Sequence, residues 1–168
     1  RRSMVTTLIS CARDAVKEIK PNCMFGVSPS GIWANAGDTP GGSNTNGSSS
    51  YHSLYADTKL WVEREYLDYI MPQIYWYNGQ PNADYNTLIN WWAGVCAPKN
   101  VKLYIGEAAY KAASGSEAAW KGQNGINELS NQVSMCRQSQ YIGGYSMFEY
   151  SSFMGNSNLY NLIKQLHS

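Results

Sequence analysis

Helix-period and strand-like segments alternate along this chain, and each alternation begins with the helix. Val5, Leu8, Ile9, Ala12, Val16 and Ile19 recur at helical spacing as far as Pro21, and the short apolar run Met24–Val27 follows. A second helix near Leu54–Leu67 carries the polar face Asp57, Lys59, Glu63 and Arg64 and leads into a strand over Tyr69–Tyr75. A third, with Tyr85, Leu88, Ile89, Trp92, Val95 and Cys96 on one side, ends before Pro98, and Val101–Ile105 is the next strand. Ile126, Leu129, Val133 and Cys136 mark a fourth helix, Ile142–Phe148 the fourth strand, and Leu159, Leu162, Ile163 and Leu166 a closing amphipathic helix. Short apolar strands separated by helices predict an α/β fold with a parallel sheet. A (β/α)8 barrel typically needs about 250 residues. The 168 residues here, with four strand units, amount to half of a TIM barrel and read as a single partial domain. An open flavodoxin-type sheet is the alternative; it is disfavoured because no glycine-rich phosphate turn follows the first strand.

Two of these strands end alike, in FGVSPSGIW (Phe25–Trp33) and DYIMPQIYW (Asp68–Trp76). In parallel α/β sheets ligands bind at the C-terminal ends of the strands. Trp or Tyr beside Ser, Gln or Asn offers a flat apolar face flanked by hydrogen-bonding groups, which suits the C–H faces and polar rim of a sugar ring. Side chains alternate along a strand, so Tyr69, Met71, Gln73 and Tyr75 share one face and Ile70, Pro72, Ile74 and Trp76 the other. A buried Gln73 must be hydrogen-bonded or cost on the order of 1–3 kcal/mol, which favours a polar site near the strand end. Trp33 and Trp76 are open to two readings, sugar stacking or packing under a loop. Trp91 and Trp92, in mid-helix, read as packing. Ala34–Ser50 is a long Gly/Ser/Asn loop, of the kind that is functional or mobile in compact domains. Asp57 reads as a helix-start carboxylate, and Asp38 and Asp84 as solvated loop residues.

Charge and cysteine content narrow the function further. Charged residues are 15% of the chain, net charge is +1, and there is no basic stripe to hold a phosphate backbone. Nucleic acid is therefore not an expected partner. No apolar stretch approaches the roughly 20 residues of a membrane span. Cys11, Cys23, Cys96 and Cys136 lack C-x-x-C spacing, and His52 and His167 lie far apart, so no zinc or other metal site is expected. Small buried thiols are one reading of the cysteines, and a Cys96–Cys136 pair in an oxidising compartment is another.

KPNCMFGVSPSGIW, GSSSYHSLYADTKLWVEREYLDYIMPQIYW, LINWWAG and KLYIGEAAYK, in that order and spacing, resemble the glycosyl-hydrolase-like family ten of bacterial envelope proteins. The resemblance runs from the first helix to the last strand. It implies a (β/α)8 barrel acting on cell-wall or other polysaccharides, of which this chain is the C-terminal half: helix four, then strands five to eight. The family's fourth strand, with its acidic and aromatic Asp-Asp-Tyr-x-Tyr-Pro type of ending, would lie upstream. The resemblance implies site roles for Ser28, Trp33, Gln73, Tyr75 and Trp76, and for Glu149; Tyr110 is a further expected substrate-binding residue. No metal or organic cofactor is implied.

Two carboxylates close strands, Glu107 in LYIGE and Glu149 in MFE. Glycoside hydrolysis uses two carboxyl groups, about 5–5.5 Å apart for retention or about 6.5–9.5 Å for inversion, and the ends of adjacent strands suit either spacing. A Glu ending the seventh barrel strand is often the nucleophile in sugar-cleaving barrels, and Glu107 falls there by fold-level analogy. SMFEY is acidic where the family pattern is plainer, which sets Glu149 apart. Glu107 and Glu149 are thus the expected catalytic pair in a general acid/base cleavage of a glycosidic bond. The expected partners are an oligo- or polysaccharide and a missing N-terminal half-barrel, or self-association through open strand edges. The expected setting is periplasmic, extracellular or envelope-associated. A non-catalytic carbohydrate-binding protein and an inactive half-barrel assembly module are the rival readings.

Overall fold

A helix precedes every strand of the sheet, and each is stopped where the chain cannot continue it. The computed structural model describes residues 1–167. In order they form α1 (Arg2–Ile19), β1 (Gly26–Val27), α2 (Ser50–Ser53), α3 (Thr58–Glu63), β2 (Tyr69–Ile70), α4 (Tyr85–Cys96), β3 (Lys102–Glu107), α5 (Ala109–Ser114), α6 (Gln123–Gln138), β4 (Ile142–Met147), a 3-10 turn (Tyr150–Phe153) and α7 (Ser157–Leu166). The four strands lie side by side in chain order, all parallel. This is an α/β architecture consistent with half of a (β/α)8 barrel.

Regular pairing in β1 and β2 is shorter than their apolar runs predict. Gly26 and Val27 pair with Tyr69 and Ile70, and beyond them the ladder thins to single bridges, Ser30 to Gln73 and Gln73 to Gly106. Pro29 and Pro72 have no N–H to donate there. The strand direction persists, because the Gln73 N–H donates to the Pro29 carbonyl at 2.9 Å and the Ile74 N–H to the Gly106 carbonyl at 3.0 Å. Between β3 and β4 pairing is longer, with a register shift at Leu103/Tyr104.

The second expected helix is divided and shortened. Tyr55 and Glu65 both adopt left-handed backbone (φ 53° at each), which bounds α3 on either side. Asp57 caps α3 by accepting from the Leu60 N–H, as a helix-start carboxylate should. Asp84 is not a merely solvated loop residue. It caps α4, accepting from the Thr87 N–H at 2.8 Å and the Gly79 N–H at 2.6 Å. Burial pushes the Asp84 carboxyl up, but the bonds from Gly79 and Thr87 outweigh it and hold it below its ordinary value. The helix α5 was not foreshadowed by periodicity, being too short to display one.

The strands bury one face against helices. Ile70, Ile74, Leu103 and Ile105 are buried with Leu88, Ile89 and Trp92 of α4, while a second apolar cluster, built on Trp120, Leu129, Leu159 and Leu162, joins α6 and α7. Tyr69, Met71, Gln73, Tyr75 and Tyr104 are half-buried. Lys17 of α1 pairs with Asp68 at 2.8 Å, and Asp68 also accepts from the Phe25 N–H at 2.6 Å, which ties α1 to the starts of β1 and β2.

The segment 34–50 is an ordered loop wound around Asn35. The Asn35 amide donates to Asp38 and to the Gly47 carbonyl, and its oxygen accepts from Thr45 and the Gly47 N–H. All four of its hydrogen-bonding positions are used, which satisfies a buried carboxamide. All four cysteines are free, so the Cys96–Cys136 pairing is not formed.

Candidate functional site

Three aromatic residues meet at the C-terminal end of the sheet. Tyr75, just beyond β2, lies edge-on to Tyr110 of α5 (5.9 Å between ring centroids) and stacks on Phe148 after β4 (6.1 Å). Tyr110 and Phe148 meet edge to face at 6.1 Å. The Tyr110 N–H donates to the Phe148 carbonyl at 3.0 Å, which fixes α5 against the end of β4. Phe148 is 52% exposed, so the cluster presents an apolar platform to solvent. Burial, with Tyr110 and Glu107 nearby, raises the Tyr75 phenol above its ordinary value and keeps it a neutral donor.

Gln73 lies two residues before Tyr75 on the same strand face. Its Nε2 donates to the Ser28 carbonyl at 2.9 Å and approaches the Ser28 hydroxyl at 3.3 Å, and that hydroxyl donates to the Met71 carbonyl at 2.8 Å. The amide is thereby oriented, and no protein group among the described residues bonds its Oε1. Glycine makes the close packing possible: a Cβ on Gly31 would come within 2.6 Å of the Gln73 carbonyl oxygen and 3.0 Å of the Trp76 ring. The structure thus brings Ser28, Gln73, Tyr75 and Tyr110 into one region. Phe148 joins them, a residue sequence reasoning left out; its two-residue phase with Ser146 was the available signal.

Glu107 is placed elsewhere than the catalytic expectation requires. Its side chain is fully buried and points into the helix layer, where Oε1 accepts from the Tyr85 hydroxyl of α4 at 2.5 Å and lies 3.5 Å from Cys136 Sγ of α6. Oε2 has no hydrogen-bond partner among the described residues. Burial raises this carboxyl to about 8, against the pull of Tyr85 and Cys136 and helped by the charge of Glu128. A group enclosed by helices cannot touch a glycan on the opposite face of the sheet. The strand itself held the clue, since Glu107 shares its phase with the buried Leu103 and Ile105.

Trp33 also differs from the stacking expectation. It is 6% exposed, its Nε1 donates to Asp57 at 3.0 Å, and its ring stacks on Trp91 at 5.8 Å. It packs against Tyr51 and Trp91, whose Nε1 donates to the Gly41 carbonyl of the long loop. Trp76 is half-buried over Gly31 and its carbonyl accepts from Gln132 at 2.9 Å. Trp92 is fully buried and donates to the Gly31 carbonyl, a packing role. Glu149 is exposed and its carboxylate makes no hydrogen bond or ion pair among the described residues. It directly follows Phe148, so it is the strand-end carboxylate that solvent reaches.

A surface hollow of ≈ 680 Å³ lies between α4 and α6 beside Ala93, Met135 and Tyr141. No three His, Cys, Asp or Glu side chains converge on a metal position among the described residues. No helix there is long and apolar enough to cross a membrane.

Comparison with known proteins agrees with this architecture. The profile of the family described as glycosyl hydrolase-like 10 matches residues 1–141. Glycosyl hydrolase DigH of Escherichia coli K12 is 42% identical over 150 residues, covering 88% of this chain and 34% of the relative. Glycosyl hydrolase YngK of Bacillus subtilis 168 is 40% identical over 149 residues, covering 88% of this chain and 29% of the relative. The chain therefore spans about a third of the length of the curated relatives it matches.

Proposed function

The chain belongs to the glycosyl hydrolase-like 10 family, and from that membership we propose that its strand ends form the saccharide-binding floor of an enzyme that cleaves glycosidic bonds in bacterial cell-wall or other polysaccharides. The observation that carries this reading is the aromatic platform of Tyr75, Tyr110 and Phe148 beside the oriented Gln73 amide. An apolar platform takes the C–H face of a sugar, and Gln73 Oε1 accepts from a hydroxyl on its rim. Ser28 holds the amide in place. Glu149 is the carboxylate within reach of a bound glycan, suited to a general acid/base role. Glu107 acts as a positioning residue: its backbone carbonyl accepts from the Phe148 N–H at 2.8 Å, so its anchored side chain steadies the platform. The reading places the protein in the bacterial envelope or outside the cell, where such polymers lie.

Burial of Glu107 favours a second reading, in which this segment binds glycan and a carboxylate from a completing half-barrel supplies the missing member of the catalytic pair. Calorimetric titration with β-1,4-linked oligosaccharides, alongside an assay for released reducing ends, tests both. The expected result is binding that Gln73→Ala and Tyr75→Ala each weaken about tenfold, the worth of one or two hydrogen bonds or a stacked ring, with unchanged melting temperature. Equal affinity in both variants overturns the site. Release of reducing ends by the 168-residue chain overturns the second reading.

A further inference from the structure

We propose that the cleft between the β2–α4 loop and the N-terminal half of α6 is a second saccharide subsite, one that receives the part of a glycan chain running outward from the aromatic platform. The proposal rests on the saccharide reading of that platform and extends it to a surface built from different elements. The cleft measures ≈ 490 Å³ and is lined by Tyr77, Asn78, Asn124, Asn127, Glu128 and Asn131.

Its position follows from chain continuity. Asn78 is three residues beyond Tyr75, at most about 11 Å of extended backbone, so the cleft opens at the same end of the sheet as the platform. Its ligand class follows from the lining. Asn131 offers a whole carboxamide, and Asn127 keeps its N–H donors while its oxygen accepts from Gln123 at 2.9 Å. Asn78 and Asn124 donate to Glu128 and to the Ala118 carbonyl but keep their oxygens, so the lining presents both donors and acceptors, the pairing that vicinal hydroxyls need. The Asn131 side chain makes no hydrogen bond among the described residues. Neither Lys, Arg nor His lines the cleft, and Glu128 carries a negative charge, so a phosphate or carboxylate ligand would be repelled. A neutral, polyhydroxylated chain is the chemistry that fits.

The cleft is also held in shape before any ligand arrives. Glu128 Oε1 accepts three hydrogen bonds, from the Asn78 N–H, the Asn78 side-chain amide and Gln132 Nε2, each at 2.8 Å. Gln132 is fully buried, and the same Nε2 donates to the Trp76 carbonyl at 2.9 Å. The carboxylate is therefore fixed in one orientation, and no protein group among the described residues bonds its Oε2, which is free to accept from a sugar hydroxyl. A charge-assisted acceptor of this kind is roughly twice as strong as a neutral one. Through Gln132 and Trp76 the cleft shares a scaffold with the end of β2, so the two surfaces keep a constant spacing.

The test is isothermal titration of the 168-residue chain with the linear β-1,4-linked N-acetylglucosamine hexamer and with its dimer. The double variant Asn127→Ala/Asn131→Ala changes exposed positions on α6, where alanine favours the helix. It should bind the hexamer about tenfold more weakly than the unaltered chain and the dimer equally well, because about two hydrogen bonds are lost only to the longer ligand. Glu128→Gln should weaken hexamer binding in the same direction. Gln73→Ala should weaken both ligands. If the double variant binds the hexamer normally while Gln73→Ala does not, the cleft proposal fails and the platform stands. If it weakens the dimer as much as the hexamer, the cleft is not an extension and the proposal fails. Absence of hexamer binding by the unaltered chain overturns the cleft and the platform together.

Discussion

The Tyr85 hydroxyl donates to Glu107 Oε1 across 2.5 Å, joining the first residue of α4 to the last residue of β3. Both groups are fully buried. Burial alone moves the Tyr85 phenol far above its ordinary range, and the Glu107 charge beside it moves it further. The carboxyl is the member of the pair that changes ionisation within an accessible range of pH. With Oε2 unpartnered, its neutral form avoids leaving a bare charge in an apolar layer. The pair holds the tip of β3 to two helices, and from that tip backbone bonds reach Phe148 and then Tyr110.

A pH dependence of stability follows. The Glu107 carboxyl sits at about 8 in the folded chain against an ordinary value of 4.5. An acid raised on folding contributes stability that is fully present below about 4.5 and is lost as pH rises through about 8. Chemical denaturation should therefore give a lower unfolding free energy at pH 8.5 than at pH 5. Glu107→Gln keeps an acceptor for Tyr85 and should flatten that difference. Glu107→Ala should cost about 2–4 kcal/mol at pH 5, since it opens a cavity and strands the Tyr85 hydroxyl. An unfolding free energy for Glu107→Gln that falls with pH as steeply as the unaltered chain's would assign the dependence to other groups.

Trp33 separates packing from binding. Replacing it with Ala removes a buried ring stacked on Trp91 and frees the Asp57 carboxylate from its Nε1 donor. A loss of about 3–5 kcal/mol in stability is expected. Affinity for an N-acetylglucosamine hexamer, measured at a temperature where the variant remains folded, should stay within twofold of the unaltered chain. A large drop in affinity of the folded variant would return Trp33 to the ligand surface.

Self-association is the third expected property. Met4, Leu8 and Ile19 are exposed along α1, Phe148 is exposed above the sheet, and among the described residues β1 and β4 each have one unpaired edge. Open strand edges and apolar patches promote association. Sedimentation velocity should show the average mass of the isolated chain rising with concentration. Charges introduced by Leu8→Lys and Ile19→Lys should reduce it. A monomer that persists at high concentration would show that these surfaces do not pair in solution.

Much of the architecture was legible because it depends on local regularities. Periodicity placed Tyr85–Cys96 as a helix ending before Pro98, and that helix is observed with those bounds. Alternation put Gln73 and Tyr75 on one strand face, and both appear at the same end of the sheet as Ser28 and Tyr110. The divided second helix was not legible, because left-handed backbone at Tyr55 and Glu65 is imposed by the path the chain must follow and not by residue type. The capping role of Asp84 is not legible in the sequence, because it depends on where α4 begins relative to Gly79.

Glu107 marks where sequence reasoning stops. From the sequence came the parallel order of strands, the carboxylate at the end of β3 and its phase with Leu103 and Ile105. Only the tertiary structure decided that this phase faces Tyr85 and Cys136, 22 and 29 residues away along the chain. The same holds for the cleft at Glu128, whose carboxylate is pinned by Asn78 from 50 positions earlier. Helical and strand periods are set by backbone geometry between near neighbours, so they are written in the order of residues. The enclosure of a carboxyl depends on which helices pack over it, a property of contacts that linear order does not contain.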